Sequence, residues 1–192
     1  MVQHRRSPAF TLIEVLIVIS LMGILAATII PSVNPSMREE LYAAAEVIEA
    51  DLGWARTLAV TNNSTYRVTF STNLHEYDIQ HSDPSKPTLH TLPVTPFTPA
   101  ASTSTKYLVQ LQTLSEVSMP IELVGVQTLG STLVSVTTLD FNFLGATTST
   151  ADTKIWIATG KGGERRYLGV RVNHATGLTW VESFQSTLPT GL

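Results

Sequence analysis

The sequence predicts an α+β fold in which one long N-terminal α-helix packs on an antiparallel β-sheet or sandwich domain. Three observations predict it. Residues 10–30 form an apolar run with a single charge, and residues 37–59 repeat apolar side chains at 3- and 4-residue steps. From Tyr66 onward, apolar and polar residues alternate between Gly-, Asn- and Pro-rich turns.

The totals limit what the chain can be. Its 192 residues allow one ordinary domain plus an extra segment, and with 43% hydrophobic and 14% charged residues a sizeable core can form. A formal charge of −3 gives no global attraction to nucleic acid or anionic lipid. The absence of cysteine excludes a disulfide framework and a thiolate metal site.

The elements follow in chain order. Met1 to Ala9 (residues 1–9) is a short polar leader carrying Arg5 and Arg6. The apolar run after it, as a helix of about 21 residues, spans roughly 30 Å, the thickness of a bilayer hydrocarbon core. Residues 10–31 therefore read as a transmembrane segment, with the cationic leader cytoplasmic and the long C-terminal part outside. A secretory signal would end in a small-residue cleavage site. Pro31-Ser32-Val33-Asn34-Pro35 offers none, which leaves only Ala26-Ala27 inside the run. Glu14 is the exception in the run. A carboxylate there costs on the order of 3 kcal/mol near the bilayer centre and less near an end, so it either reaches the headgroups or has a partner. Gly23 and Ala27, at small-xxx-small spacing, let neighbouring helices approach closely.

Ser36-Met37-Arg38-Glu39 reads as a capping box, and residues 32–63 read as an amphipathic continuation of the helix. Met37, Leu41, Ala44, Ala45, Ile48, Leu52, Ala55 and Ala59 form its core face, widened by Val47, Trp54 and Leu58. Arg38, Glu39, Glu46, Glu49 and Arg56 fall opposite, and the helix ends near Asn62-Asn63. Residues 64–192 then form a β domain. Tyr66, Val68 and Phe70 alternate with polar residues, and Tyr77 and Ile79 continue the pattern after a turn around Thr72-Asn73. Residues 82–105, rich in Pro, Ser and Thr, read as a long surface loop. Further strands are expected at Tyr107–Gln112, Ile121–Val126, Leu139–Leu144, Lys154–Ala158, Tyr167–Val172 and Leu178–Glu182. Gly160–Gly163 and Asn173–Gly177 supply turns between the last three.

Ala9-Phe10-Thr11-Leu12-Ile13-Glu14 resembles the prepilin motif of type IV pilins and type II secretion pseudopilins. The resemblance implies that a prepilin peptidase cuts between Ala9 and Phe10 and that the new Phe10 terminus is N-methylated. Ala9 stands where the family usually has glycine. Glu14, fifth in the mature chain, is implied to pair with the N-terminal amine of a neighbouring subunit, and Pro31 sits where these helices kink or melt on assembly. The helix-to-strand stretch Ala45 to Ile79, Leu139-Asp140-Phe141-Asn142-Phe143-Leu144-Gly145 and the closing Thr176-Gly177 are similar to H-type minor pseudopilins and T-type minor pilins. This implies a pilin-like fold and a structural subunit of the type II secretion pseudopilus. Such a subunit crosses the inner membrane once, has a periplasmic C-terminal domain and assembles with other pilins or pseudopilins for protein export across the outer membrane.

Catalytic and cofactor signals are lacking. His4, His75, His81, His90 and His174 have no metal-ligand spacing and read as solvated or turn residues. No GxSxG elbow is present, and nothing groups the Ser, His and Asp residues. Gly160-Lys161-Gly162-Gly163 lacks phosphate-loop spacing. A non-enzyme without cofactor or metal is expected. The rival is a minor type IV pilin of pilus biogenesis or DNA uptake, with Lys161, Arg165, Arg166 and Arg171 contacting phosphates. Against it, loss of the leader with Arg5 and Arg6 makes the formal charge two units more negative than −3.

Overall fold

The computed structural model describes residues 11–29, 36–94, 98–114 and 119–190. The chain forms two compact units, Met1–Pro35 and Ser36–Leu192.

In the first unit, helix α1 spans Leu12–Ile29. Thr11 opens it: the Glu14 N–H donates to the Thr11 carbonyl at 3.1 Å and lies 3.3 Å from its Oγ1. Leucine, isoleucine and valine occupy every side of the helix, so it has no polar face to set against water. At about 1.5 Å per residue its 18 residues reach roughly 27 Å. Among the described residues no helix is long and apolar enough to cross a membrane; the apolar run in the sequence extends past α1 to Phe10 and Ile30.

The second unit begins with helix α2, Met37–Thr61. Ser36 caps it through a complete capping box, with the Glu39 carboxylate accepting the Ser36 N–H at 2.7 Å. The apolar stripe is buried, including Leu41, Ala44, Ala45, Ile48, Leu52, Ala55, Leu58 and Ala59. Trp54 is half-buried against Tyr107, whereas Val47 remains exposed. Asn62 caps the other end, and the Lys86 ammonium donates to the Asn62 and Asn63 carbonyls there.

Two antiparallel sheets follow. The first has the order β3-β2-β1-β6, from Tyr66–Ser71 (β1), Glu76–His81 (β2), Tyr107–Gln110 (β3) and Thr138–Phe141 (β6). The second has the order β5-β4-β7-β8-β9, from Glu122–Leu129 (β4), Leu133–Ser135 (β5), Thr153–Thr159 (β7), Arg166–Val172 (β8) and Thr179–Val181 (β9). Helix α2 touches β1 and β6 of the first sheet and β7, β8 and β9 of the second. One core therefore joins Leu41, Ile48 and Leu52 to Tyr66, Ile79, Phe141, Ile155 and Leu168. Alternate residues of β7 and β8 form a smaller cluster of Trp156, Ala158 and Tyr167. Burial on both faces is why β7 reads as a nearly unbroken apolar run.

Three local expectations change. The third strand stops at Gln110, because Leu111–Thr113 tightens into a 3-10 turn that buries Leu111. The short strand β5 was not foreseen, since all three of its residues are exposed and carry no alternation. Within 82–105 the described residues are anchored, with a 3-10 turn at Pro87–His90. Leu92 is buried there and its N–H donates to the Ser104 carbonyl at 2.7 Å.

Candidate assembly segment and head-domain cations

Glu14 sits in the first turn of α1, where the positive end of the helix dipole favours a carboxylate. No ion pair or hydrogen bond to its carboxylate forms among the described residues, while the hydroxyl of Ser20 is satisfied by the Leu16 carbonyl at 2.8 Å. Every described side chain around Glu14 is exposed, with Leu12 at 84% and Ile13 at 65%. A Cβ placed at Gly23 would meet nothing within 4 Å, so the flat face there is open to another helix. Ala9, Phe10 and Pro31 lie outside the described residues.

The four cations of the closing hairpin have different surroundings. Arg165 pairs with Glu122 at 2.7 Å and lies over the Tyr167 ring. Arg171 pairs with Asp152 at 2.8 Å and stacks over Trp180. Among the described residues, Arg166 donates to the carbonyls of Gly163 and Arg165, and Lys161 is exposed with no ion pair. Burial pushes Asp152 up, but hydrogen bonds from His174 and Arg171 outweigh it and hold its carboxyl down at about 2. Two of the four cations are thus already neutralised by the protein's own carboxylates.

The segments quoted for the minor-pilin resemblance meet at one junction. The Arg56 guanidinium donates from Nε to the Gly145 carbonyl at 3.2 Å and to the Thr176 carbonyl at 2.8 Å. Asn142 folds the first of these turns by accepting the N–H groups of Leu144 and Ala146, and Asn173 folds the second by accepting those of Ala175 and Thr176. Gly177, at φ 64°, fits because a Cβ would fall onto the Gly145 carbonyl.

Buried His81 corrects the sequence reading, whereas His174 lies in a turn as that reading has it. His174 pairs with Asp152 at 2.8 Å. His81 is buried, with Nε2 2.7 Å from the Ser64 hydroxyl and Nδ1 3.0 Å from Nδ1 of His90. Ser64 also donates to Asp83 at 3.1 Å. Because a carboxylate only accepts, the Ser64 proton points to Asp83, so His81 donates from Nε2 and accepts at Nδ1. That direction makes Ser64 a poor nucleophile: its proton is turned away from the imidazole, and it is itself buried. The grouping spans residues far apart in sequence, and only the pairing of β1 with β2 brings them together.

The described chain thus has an apolar helix with one early glutamate and a separate helix-on-sheet unit. Residues 4–30 match the family described as the prokaryotic N-terminal methylation motif. The motif implies processing by prepilin peptidase and assembly with other pilins. Among solved structures, the chain is similar to the type IV minor pilin FimU of Pseudomonas aeruginosa (strain PAO1) in two crystal forms. The first has 18% identity and TM-score 0.45, covering 76% of this chain and 90% of that one. The second has 16% identity and TM-score 0.42, covering 74% and 92%. Comparison with curated proteins returns no match.

Proposed function

We propose that the protein is a minor pseudopilin, a structural subunit of a type II secretion pseudopilus that is held in the inner membrane before assembly and carries its head in the periplasm. The observation that carries this reading is Glu14: one carboxylate on an otherwise apolar helix whose described side chains are exposed, without a partner among the described residues. Leaving such a charge unpaired in hydrocarbon is costly, and pairing it with the α-amine of a neighbour's Phe10 removes that cost. The same term that penalises the isolated subunit then favours the filament. Cleavage after Ala9 creates that amine, N-methylation at Phe10 leaves it cationic, Gly23 allows close helix approach, and Pro31 lets the helix adjust on leaving the membrane.

A minor type IV pilin is the second reading. Its DNA-binding form loses support from the ion pairs of Arg165 and Arg171, whose charge is already compensated.

The test is the intact mass and N-terminal residue of the full chain extracted from membranes after coexpression with a prepilin peptidase. The expected product starts at methylated Phe10. An intact Met1 beside an active peptidase overturns the assembly mechanism.

A further inference from the structure

We propose that His81 and His90 are the two protein ligands of a divalent transition-metal site, of the kind zinc occupies, each binding through Nδ1. The inference stands on the head domain alone and is independent of the filament reading.

Among the described histidines, these two bring ring nitrogens to one point. Their Nδ1 atoms stand 3.0 Å apart. Nδ1 of His75 instead meets the Leu123 carbonyl, and that of His174 meets Asp152. Two imidazoles bound to one tetrahedral zinc, each at about 2.0–2.1 Å, hold their nitrogens about 3.3 Å apart, so the pair needs to open by only about 0.3 Å. The ring centroids are 4.9 Å apart and the ring planes cross at 61°. Rings set end to end along the Nδ1–Nδ1 line would stand farther apart than this. The ring axes therefore slant off that line, as they must for an ion placed beside it.

The surroundings of His81 set it up as a ligand. A metal-bound histidine takes its tautomer from the hydrogen bond at its other ring nitrogen. His81 is 6% exposed, and its Nε2 donates to the Ser64 hydroxyl 2.7 Å away, whose own proton goes to Asp83 at 3.1 Å. Ser64 and Asp83 thereby keep the proton on Nε2 and leave Nδ1 bare, the state a metal ligand requires. In the metal-free protein that bare nitrogen accepts the His90 proton. A metal ion takes the proton's place between the rings, and His90 then carries its proton on Nε2, so neither imidazole changes charge. His90 is half-buried at the end of the Pro87–His90 turn, nine positions along the chain from His81. The ion therefore fastens the Pro-rich segment to the end of β2. Asp83 favours a cation here and Lys86 opposes one, although its ammonium is engaged by the Asn62 and Asn63 carbonyls. No third imidazole or carboxylate joins the pair among the described residues, so water completes the coordination. Imidazole donors select zinc, copper or nickel over magnesium and calcium, which take oxygen ligands.

A titration of the full chain in detergent with Zn2+, followed by nitrogen NMR of the imidazole rings, tests this. One equivalent should move Nδ1 of His81 and His90 together, leave Nε2 of His81 protonated, and leave His75 and His174 in place. Saturating Zn2+ should raise the urea midpoint, and a chelator should reverse the rise. His90→Gln, at the less buried of the two positions, should abolish both effects while the metal-free urea midpoint shows that the variant is folded. Ser64→Ala should weaken Zn2+ binding on the order of tenfold, because His81 loses the partner that orients it, and Ser64→Thr should retain it. A titration that leaves the His81 and His90 nitrogens unmoved overturns the proposal. So do shifts spread equally over all the histidines, which mark adventitious binding, and Zn2+ binding that survives His90→Gln.

Discussion

At the residue scale, His81 shows how position in the fold changes a side chain's chemistry. Burial and the neighbouring His90 hold its imidazole below the ordinary value of 6.5. The relay from His90 through His81 and Ser64 to Asp83 needs a bare Nδ1 on His81, and Lys86 adds a further cation nearby. Since the folded value is lowered, the unfolded chain takes up protons first. The contribution of His81 to stability is therefore complete above 6.5 and is lost as pH falls from there through the folded value. Hydrogen bonds from Ser85 keep Asp83 ionised across this window. Urea midpoints of the full chain in detergent should drop as pH falls below 6.5, and His81→Gln should flatten that slope. An unchanged slope in the variant would assign the acid sensitivity to other groups. Nothing in the local sequence announces this relay: His81 ends a strand of ordinary alternation, and His90 sits in a Pro-rich segment.

At the scale of elements, much of the fold was legible because single-chain periodicity carries it. The buried stripe of α2 follows its 3- and 4-residue spacing, and Ser36 and Glu39 make the capping box that their spacing announces. Strand β5 and the tightening at Leu111 were not legible, because each depends on its neighbours and not on its own pattern. The Arg56 junction is a third case. Its residues were singled out by resemblance, yet the periodicity of α2 placed Arg56 on the solvent side. In the fold it is half-buried and ties α2 to the Asn142–Ala146 and Asn173–Gly177 turns. Arg56→Met keeps most of the side-chain packing and removes both charged hydrogen bonds. The expected cost is about 2 kcal/mol, with the two carbonyls left to water. Chemical denaturation measures it, and exchange should quicken most at residues 142–146 and 173–177. A loss below about 0.5 kcal/mol would mean that the turns hold their geometry without the guanidinium.

For the whole molecule, the two compact units meet different physical demands. The head is stabilised by its own core and pairs Arg67, Lys106, Lys154, Arg165 and Arg171 with its own carboxylates. Helix α1 satisfies its backbone and Ser20 within itself, but it leaves its apolar surface and Glu14 to whatever surrounds it. Two environments suit such a helix in turn, a bilayer and a bundle of like helices, and Glu14 distinguishes between them. In lipid the carboxylate is a cost of up to about 3 kcal/mol, whereas in a bundle with a neighbour's α-amine it becomes a bond. On the proposed function, Glu14→Leu should therefore leave insertion intact or strengthen it and leave the proposed cleavage after Ala9 unaffected, while removing the proposed gain on assembly. The expected phenotype is a processed, membrane-retained subunit that is missing from sheared or crosslinked filaments. Glu14→Asp, with a shorter reach to the amine, should fall between the two. Normal filament incorporation of Glu14→Leu would show that helix packing alone drives assembly. Loss of processing would instead place Glu14 in recognition by the peptidase. Comparing the mass of the membrane-extracted subunit with its yield in filaments separates these outcomes in one preparation.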